Sequence, residues 1–277
     1  LFKFEGIDFI PVNHTRGDLK MKLSNEVSIV GAGDHGLRLT HPSDCAVYLI
    51  NGGNGHLALI DAGVGAGTRD ILANVESDGY NPKDIETVFL THSHTDHIGG
   101  AKDLRDILSC KVAISAGEAS FVENADEETL GLRVAKQAGY YPQDFVVRPC
   151  PIDIRVRDGD EFSIGDLTML AIVVGGHTRA GVLYYLRGKE KTYLFAGDHI
   201  SYGGLISLQN YENSGSSIEG YRASGKKLAS LNLHVDAFLP SHMLITLNRG
   251  QTEVDKMIQA SQHLMFGGRV YAPERIF

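Results

Sequence analysis

The stretch from residue 91 to 100, THSHTDHIGG, follows directly on the apolar run ETVFL. His92, His94, Asp96 and His97 all fall within six positions. Imidazoles and carboxylates at the end of a buried strand lose water on folding, which is costly unless a partner replaces it. Two residues apart in extended chain, His92 and His94 project to the same side. Asp96 and His97 follow at the turn into a helix, and Gly99 and Gly100 let the backbone pass closely. Four nitrogen and oxygen donors without a thiolate suit a divalent metal ion. Chance alone would produce HxHxDH on the order of once in a thousand such chains.

One cluster cannot complete the coordination, so more donors are expected at other strand ends. Asp61 ends HLALID, His177 follows LTMLAIVVGG, Asp198 ends KTYLFAGD and His242 closes DAFLPSH. These runs belong to a series of short β-branched or aromatic segments bounded by Gly, Asp, Asn or Pro, which read as strands. The series begins with EVSIVG (26–31) and CAVYLIN (45–51) and ends with DAFLPS (236–241). NGGNGH and RVRDGDEF read as hairpin turns. Helical periodicity marks 67–77, with a threonine cap, and 99–108, 126–139, 216–231 and 251–265. Strands clustered in each half with helices between them imply two packed sheets with helices outside, in one domain over residues 1–277.

Composition narrows the function classes. The 277 residues are 43% hydrophobic and carry a net charge of −8, with no dense Lys/Arg cluster. That argues against a nucleic-acid partner. RASGKK (222–227), the most basic patch, reads as the solvated face of a helix. No apolar run reaches the roughly 18–20 residues of a membrane span. Cys45, Cys110 and Cys150 stand far apart, which disfavours a disulfide framework and leans toward a reducing, cytoplasmic location. The chain opens on Leu1 rather than Met, which leaves room for a trimmed leader. Oligomeric state is not legible.

The five motifs, in order across roughly residues 45 to 245, resemble the metallo-β-lactamase superfamily. The resemblance implies an α/β fold, a four-layer αββα sandwich. It implies two divalent metal ions, with zinc first and manganese or iron as alternatives. One would take His92, His94 and His177, the other Asp96, His97 and His242. Asp198 would bridge the two, and Asp61 would support the ligand loop by hydrogen bonding. The implied reaction is hydrolysis of a small-molecule ester, lactone or thioester by a metal-bridging hydroxide, with Asp96 orienting it and relaying a proton. Cleavage of a lactam or amide, and a mononuclear iron dioxygenase of the persulfide type, are the alternative readings. The bridging Asp198 argues against a β-lactam-hydrolysing enzyme. With about 35 residues following His242 here, the helical domain of glyoxalase II enzymes is not expected, and the lactonase-like branch is the expected one.

The third motif departs from the family's HTPG, reading His177-Thr178-Arg179-Ala180-Gly181. Arg179 is either a cation offered to substrate or an exposed loop residue. Tyr202, four residues after Asp198, is a candidate donor to the developing oxyanion. His199 would point away from the ligands and reads as structural. His14, His35, His41, His56, His234 and His263 are isolated, as surface or satisfied core residues. Residues 116–150, with Phe121, Tyr140 and Tyr141 in a helical flap, and residues 200–222 are expected to build a largely apolar substrate pocket.

Overall fold

The structure, a computed structural model, describes residues 21–209, 211 and 213–263. Two mixed sheets form the centre. The first has the order β1 (Val27–Gly31), β2 (Val47–Asn51), β3 (Leu57–Ile60), β4 (Ile85–Phe89), β5 (Lys111–Ser115) and β6 (Ile154–Val156). The second runs β11 (Ala237–Pro240), β10 (Thr192–Gly197), β9 (Gly181–Arg187), β8 (Leu167–Val174) and β7 (Glu161–Ile164). The helices are α1 (Thr68–Ser77), α2 (Thr95–Ile98), α3 (Ala101–Leu108), α4 (Ala119–Asn124), α5 (Leu132–Gln137), α6 (Ile218–Leu231) and α7 (Gly250–His263).

Side-chain alternation explains the layering. Along a strand successive residues face opposite sides, so a strand buried on both faces must be apolar throughout. In β3, Leu57 and Leu59 face the helical layer of α1 and α3, while Ala58 and Ile60 face the other sheet. In β10, Tyr193 and Phe195 face the first sheet, and Leu194 and Ala196 meet Leu228 of α6 and Met257 of α7. The three apolar clusters therefore correspond to the three interfaces of a four-layer αββα sandwich. None of the described helices is long and apolar enough to cross a membrane.

Strand direction gathers the functional residues. β3 and β4 run parallel, as do β10 and β11, and β8 is antiparallel to β9, which is antiparallel to β10. The strands that precede Asp61, His92, His177, Asp198 and His242 thus deliver those residues beyond their C-terminal ends.

Three expectations about local structure need correction. RVRDGDEF is no hairpin, because β6 pairs with β5 in the first sheet and β7 with β8 in the second. The turn at Gly159 (φ +84°) instead carries the chain between sheets. Helix α1 is not capped by threonine; its N-cap is Gly67, and the Thr68 hydroxyl donates back to Gly65 O at 2.9 Å. Asp44 takes the space instead, since a Cβ on Gly67 would stand 2.1 Å from Asp44 Oδ2. The helix expected over 126–139 shrinks to α5, entered through Gly131 at φ +70°. A Cβ on Gly131 would come within 2.9 Å of the Tyr211 hydroxyl, so the break makes room for that ring. The last two residues of the helix expected over 251–265 lie outside the described residues, as does His14.

Candidate metal centre

The loop after β4 places His92 and His94, and the single turn of α2 places Asp96 and His97. His94 is the N-cap of that turn, and its carbonyl accepts from the amides of His97 and Ile98. Chain reversal at Asp61 uses a left-handed backbone (φ +63°), a conformation aspartate tolerates better than most residues. Its carboxyl accepts from Thr91 N (2.7 Å), the Thr91 hydroxyl (2.9 and 3.0 Å), His97 Nδ1 (2.9 Å) and the Ser241 hydroxyl (3.1 Å). Asp61 thus ties the loop of His92, His94 and His97 to the strand end that carries His242.

Hydrogen bonds on the outer nitrogens fix the tautomers. His177 Nδ1 lies 2.8 Å from Ser207 O; a carbonyl only accepts, so Nδ1 carries the proton and Nε2 keeps its lone pair. His97 Nδ1 likewise donates to Asp61. Because the Thr91 hydroxyl gives its proton to Asp61, its oxygen accepts from His92 Nδ1 at 3.1 Å. The Tyr211 hydroxyl donates to Thr129 O (3.5 Å) and accepts from His94 Nε2 (3.0 Å). The lone pairs left over point inward. His94 Nδ1 stands 3.0 Å from His92 Nε2 and 3.1 Å from His177 Nε2, with no proton left to place between them.

A second group adjoins this one. Asp96 Oδ2 lies 3.0 Å from His242 Nε2 and 3.4 Å from His97 Nε2. Asp198 stands between the groups: Oδ2 is 3.7 Å from His177 Nε2 and 3.5 Å from His242 Nε2, and Oδ1 is 3.4 Å from His97 Nε2. His97 Nε2 and Asp198 Oδ1 are buried without a hydrogen-bond partner. Converging lone pairs and orphaned acceptors are unfavourable unless a cation sits among them, so these residues fit divalent metal. Two of the metal-competent donor groupings here are His92, His94, His177 and Asp96, His97, His242.

Electrostatics divides the centre into two halves. Burial, then its imidazole neighbours, hold His92 far below its ordinary value; burial and then His177 push His94 down to about 3. Burial likewise lowers His177, against the pull of Asp198. That half is neutral and ready to donate. In the other half burial opposes ionisation of Asp96 and Asp198, but their histidine neighbours outweigh it and hold both carboxyls well below the usual range. Side-chain exposures of 22%, 16% and 21% for Asp96, Asp198 and His242, against 0% for His97, mark the side open to solvent.

Residues 41–242 match the sequence profile of the metallo-beta-lactamase superfamily. The chain belongs to this superfamily. An acyl-coenzyme A thioesterase, MBLAC2, from Gallus gallus is 26% identical over 210 residues, 71% of either chain. A hydroxyacylglutathione hydrolase from Klebsiella pneumoniae is 28% identical over 165 residues, which are 60% of this chain and only about half (51%) of that one. Among solved structures, a Cronobacter sakazakii metallo-β-lactamase superposes with a TM-score of 0.65 at 21% identity, covering 88% of this chain and 94% of that one. The di-zinc class B3 enzyme LRA-12 from an Alaskan soil metagenome has a TM-score of 0.65 at 17% identity, covering 89% and 92%. These structural likenesses concern the fold.

Other residues singled out in the sequence sort differently. Tyr202 lies 42% exposed with the Lys256 ammonium 5.7 Å from its ring centre, and the tyrosine that meets the histidines is Tyr211. Tyr211 lies in the 200–222 segment, yet no motif distinguishes it from Tyr202 in sequence. Replacing Tyr211 by phenylalanine removes the acceptor for His94, and metal affinity is expected to fall about 10-fold or more, as for outer partners of metal-bound histidines. Tyr202→Phe is expected to leave affinity unchanged; chelator competition on both variants makes the comparison, and equal affinities would contradict it. Arg179 is exposed, its guanidinium 5.7 Å from the Phe121 ring centre. His199 is buried and stacks on Tyr221 with ring centres 4.6 Å apart, lining one small cavity with His92 and His177. His35 meets His242 edge to face at 5.9 Å, a contact its sequence surroundings did not signal.

Proposed function

We propose that this chain, a hydrolase of the metallo-β-lactamase superfamily, is a dinuclear enzyme acting on a small ester, lactone or thioester. The observation that carries the reading is the place of Asp198, whose two oxygens face histidines of both groups. His92, His94 and His177 would hold one ion, Asp96, His97 and His242 the other, with zinc the first choice and manganese or iron alternatives. When bound, the pair supplies Lewis acidity toward a carbonyl oxygen and an acidified water as nucleophile.

The residues do the rest. Asp96, ionised and on the open side, orients the water, takes its proton and passes it to the leaving alkoxide or thiolate. His97, wedged against Asp61, fixes the angle of α2 and so the position of Asp96. No side chain need attack the substrate. Burial raises all three cysteine thiols, Cys110 and Cys150 to about 11, so none offers a thiolate at neutral pH.

Apolar surface beside the centre suits an acyl group. A cavity of about 100 Å³ next to the His242 loop is walled by Leu37, Tyr48, Met243, Leu244 and Ile245. In the flap, Tyr141 and Phe145 stack at 5.0 Å while Tyr140 stands exposed. The named activities of the thioesterase and hydroxyacylglutathione hydrolase relatives support a thioester substrate. The test is a panel of acyl-coenzyme A and glutathione thioesters, lactones, a β-lactam and a phosphodiester with metal-loaded protein. Thioester or lactone turnover above the rest is expected. Turnover of the β-lactam alone, or oxygen consumption on a persulfide with one iron per chain, would overturn the reading.

A further inference from the structure

Glu118 lies three residues past β5, just before α4, and its side chain is fully buried. Burying a carboxyl is costly unless its oxygens find donors. Both do, and both donors are backbone: Oε2 accepts from Ser93 N and Oε1 from Ala180 N, each at 2.8 Å. Ser93 sits between His92 and His94, and Ala180 follows His177 by three residues. One side chain therefore spans two loops that issue from different sheets, and those loops carry the whole three-histidine group. Neither bond reaches Asp96, His97 or His242. The approach is tight, since a Cβ on neighbouring Gly117 would stand 2.7 Å from Ala180 Cβ.

We propose that Glu118 is a positioning residue that sets the spacing of His92 and His94 against His177 and thereby tunes the three-histidine metal site selectively. The inference rests on the dinuclear reading above. Asp61 makes the contrast: it bonds His97 directly and reaches His92 through Thr91, so it serves both sites.

The test is cobalt titration of metal-free protein in two backgrounds. His242→Ala leaves the three-histidine site intact, and His177→Ala leaves the other. Glu118→Gln keeps the shape but can offer only one acceptor oxygen; Glu118→Asp keeps the charge but is too short to span both amides. In the His242→Ala background either change is expected to weaken cobalt binding by about 10- to 100-fold. In the His177→Ala background affinity is expected to stay the same. Asp61→Asn, measured alongside, should weaken both. Equal weakening in the two backgrounds, or none in either, overturns the proposal. So does loss of cooperative thermal melting in both Glu118 variants, which would make the residue a requirement for folding. If the wild-type chain takes up no cobalt, the dinuclear reading fails first and this inference falls with it.

Discussion

Asp198→Ala is expected to lose at least one of two bound metal ions and to lower turnover by about a thousand-fold or more, several kcal/mol of transition-state stabilisation. The Asp198 carboxyl faces both groups, within 3.7 Å of His177, His97 and His242. Removing it would leave those imidazoles without the carboxyl that, in the proposed dinuclear centre, would offset the charge of both ions. Alanine is also smaller, so the strand end after β10 can keep its course and the fold is expected to survive. Metal content by elemental analysis and turnover on the best substrate of the panel check the result together. A variant with two ions and full activity would show that the carboxyl does not bridge.

Asp61→Ala is expected to cost about 3–5 kcal/mol of stability in the metal-free protein, since several buried donors lose their acceptor at about 1–3 kcal/mol each. The carboxyl is fully buried and takes hydrogen bonds from Thr91, His97 and Ser241. Alanine would leave each of those buried donors without its carboxyl partner. It also fits the left-handed backbone at φ +63° less well, adding roughly 1–2 kcal/mol. An asparagine side chain would keep one acceptor oxygen and the backbone preference, so Asp61→Asn is expected to lose less. Urea unfolding of the three proteins reports the order. Equal midpoints for wild type and Asp61→Ala would show that Asp61 does not hold the ligand loop.

The strands and the cluster of donor residues were legible in the sequence because both leave periodic or punctuated marks. Alternation such as Leu57, Ala58, Leu59, Ile60 encodes two buried faces, and donor residues stand out where apolar runs stop. The histidines and aspartates expected to ligate do lie together at one edge of the sandwich. What was hidden depends on contacts between distant segments. Glu118 meets Ser93 and Ala180 only after both sheets form, and nothing in SAGEAS announces it. Tyr211 reaches His94 because Gly131, far away in sequence, yields space to its ring, a contact the sequence around Tyr211 does not announce. The turn at Gly159 reads as a hairpin because local residues cannot reveal which sheet the next strand joins.

The most direct measurement is diffraction from zinc-soaked crystals at wavelengths on either side of the zinc absorption edge. Two anomalous peaks are expected, one among His92, His94 and His177 and one among Asp96, His97 and His242, with Asp198 touching both. No peak, or a lone peak with Asp198 turned away, would contradict the dinuclear account.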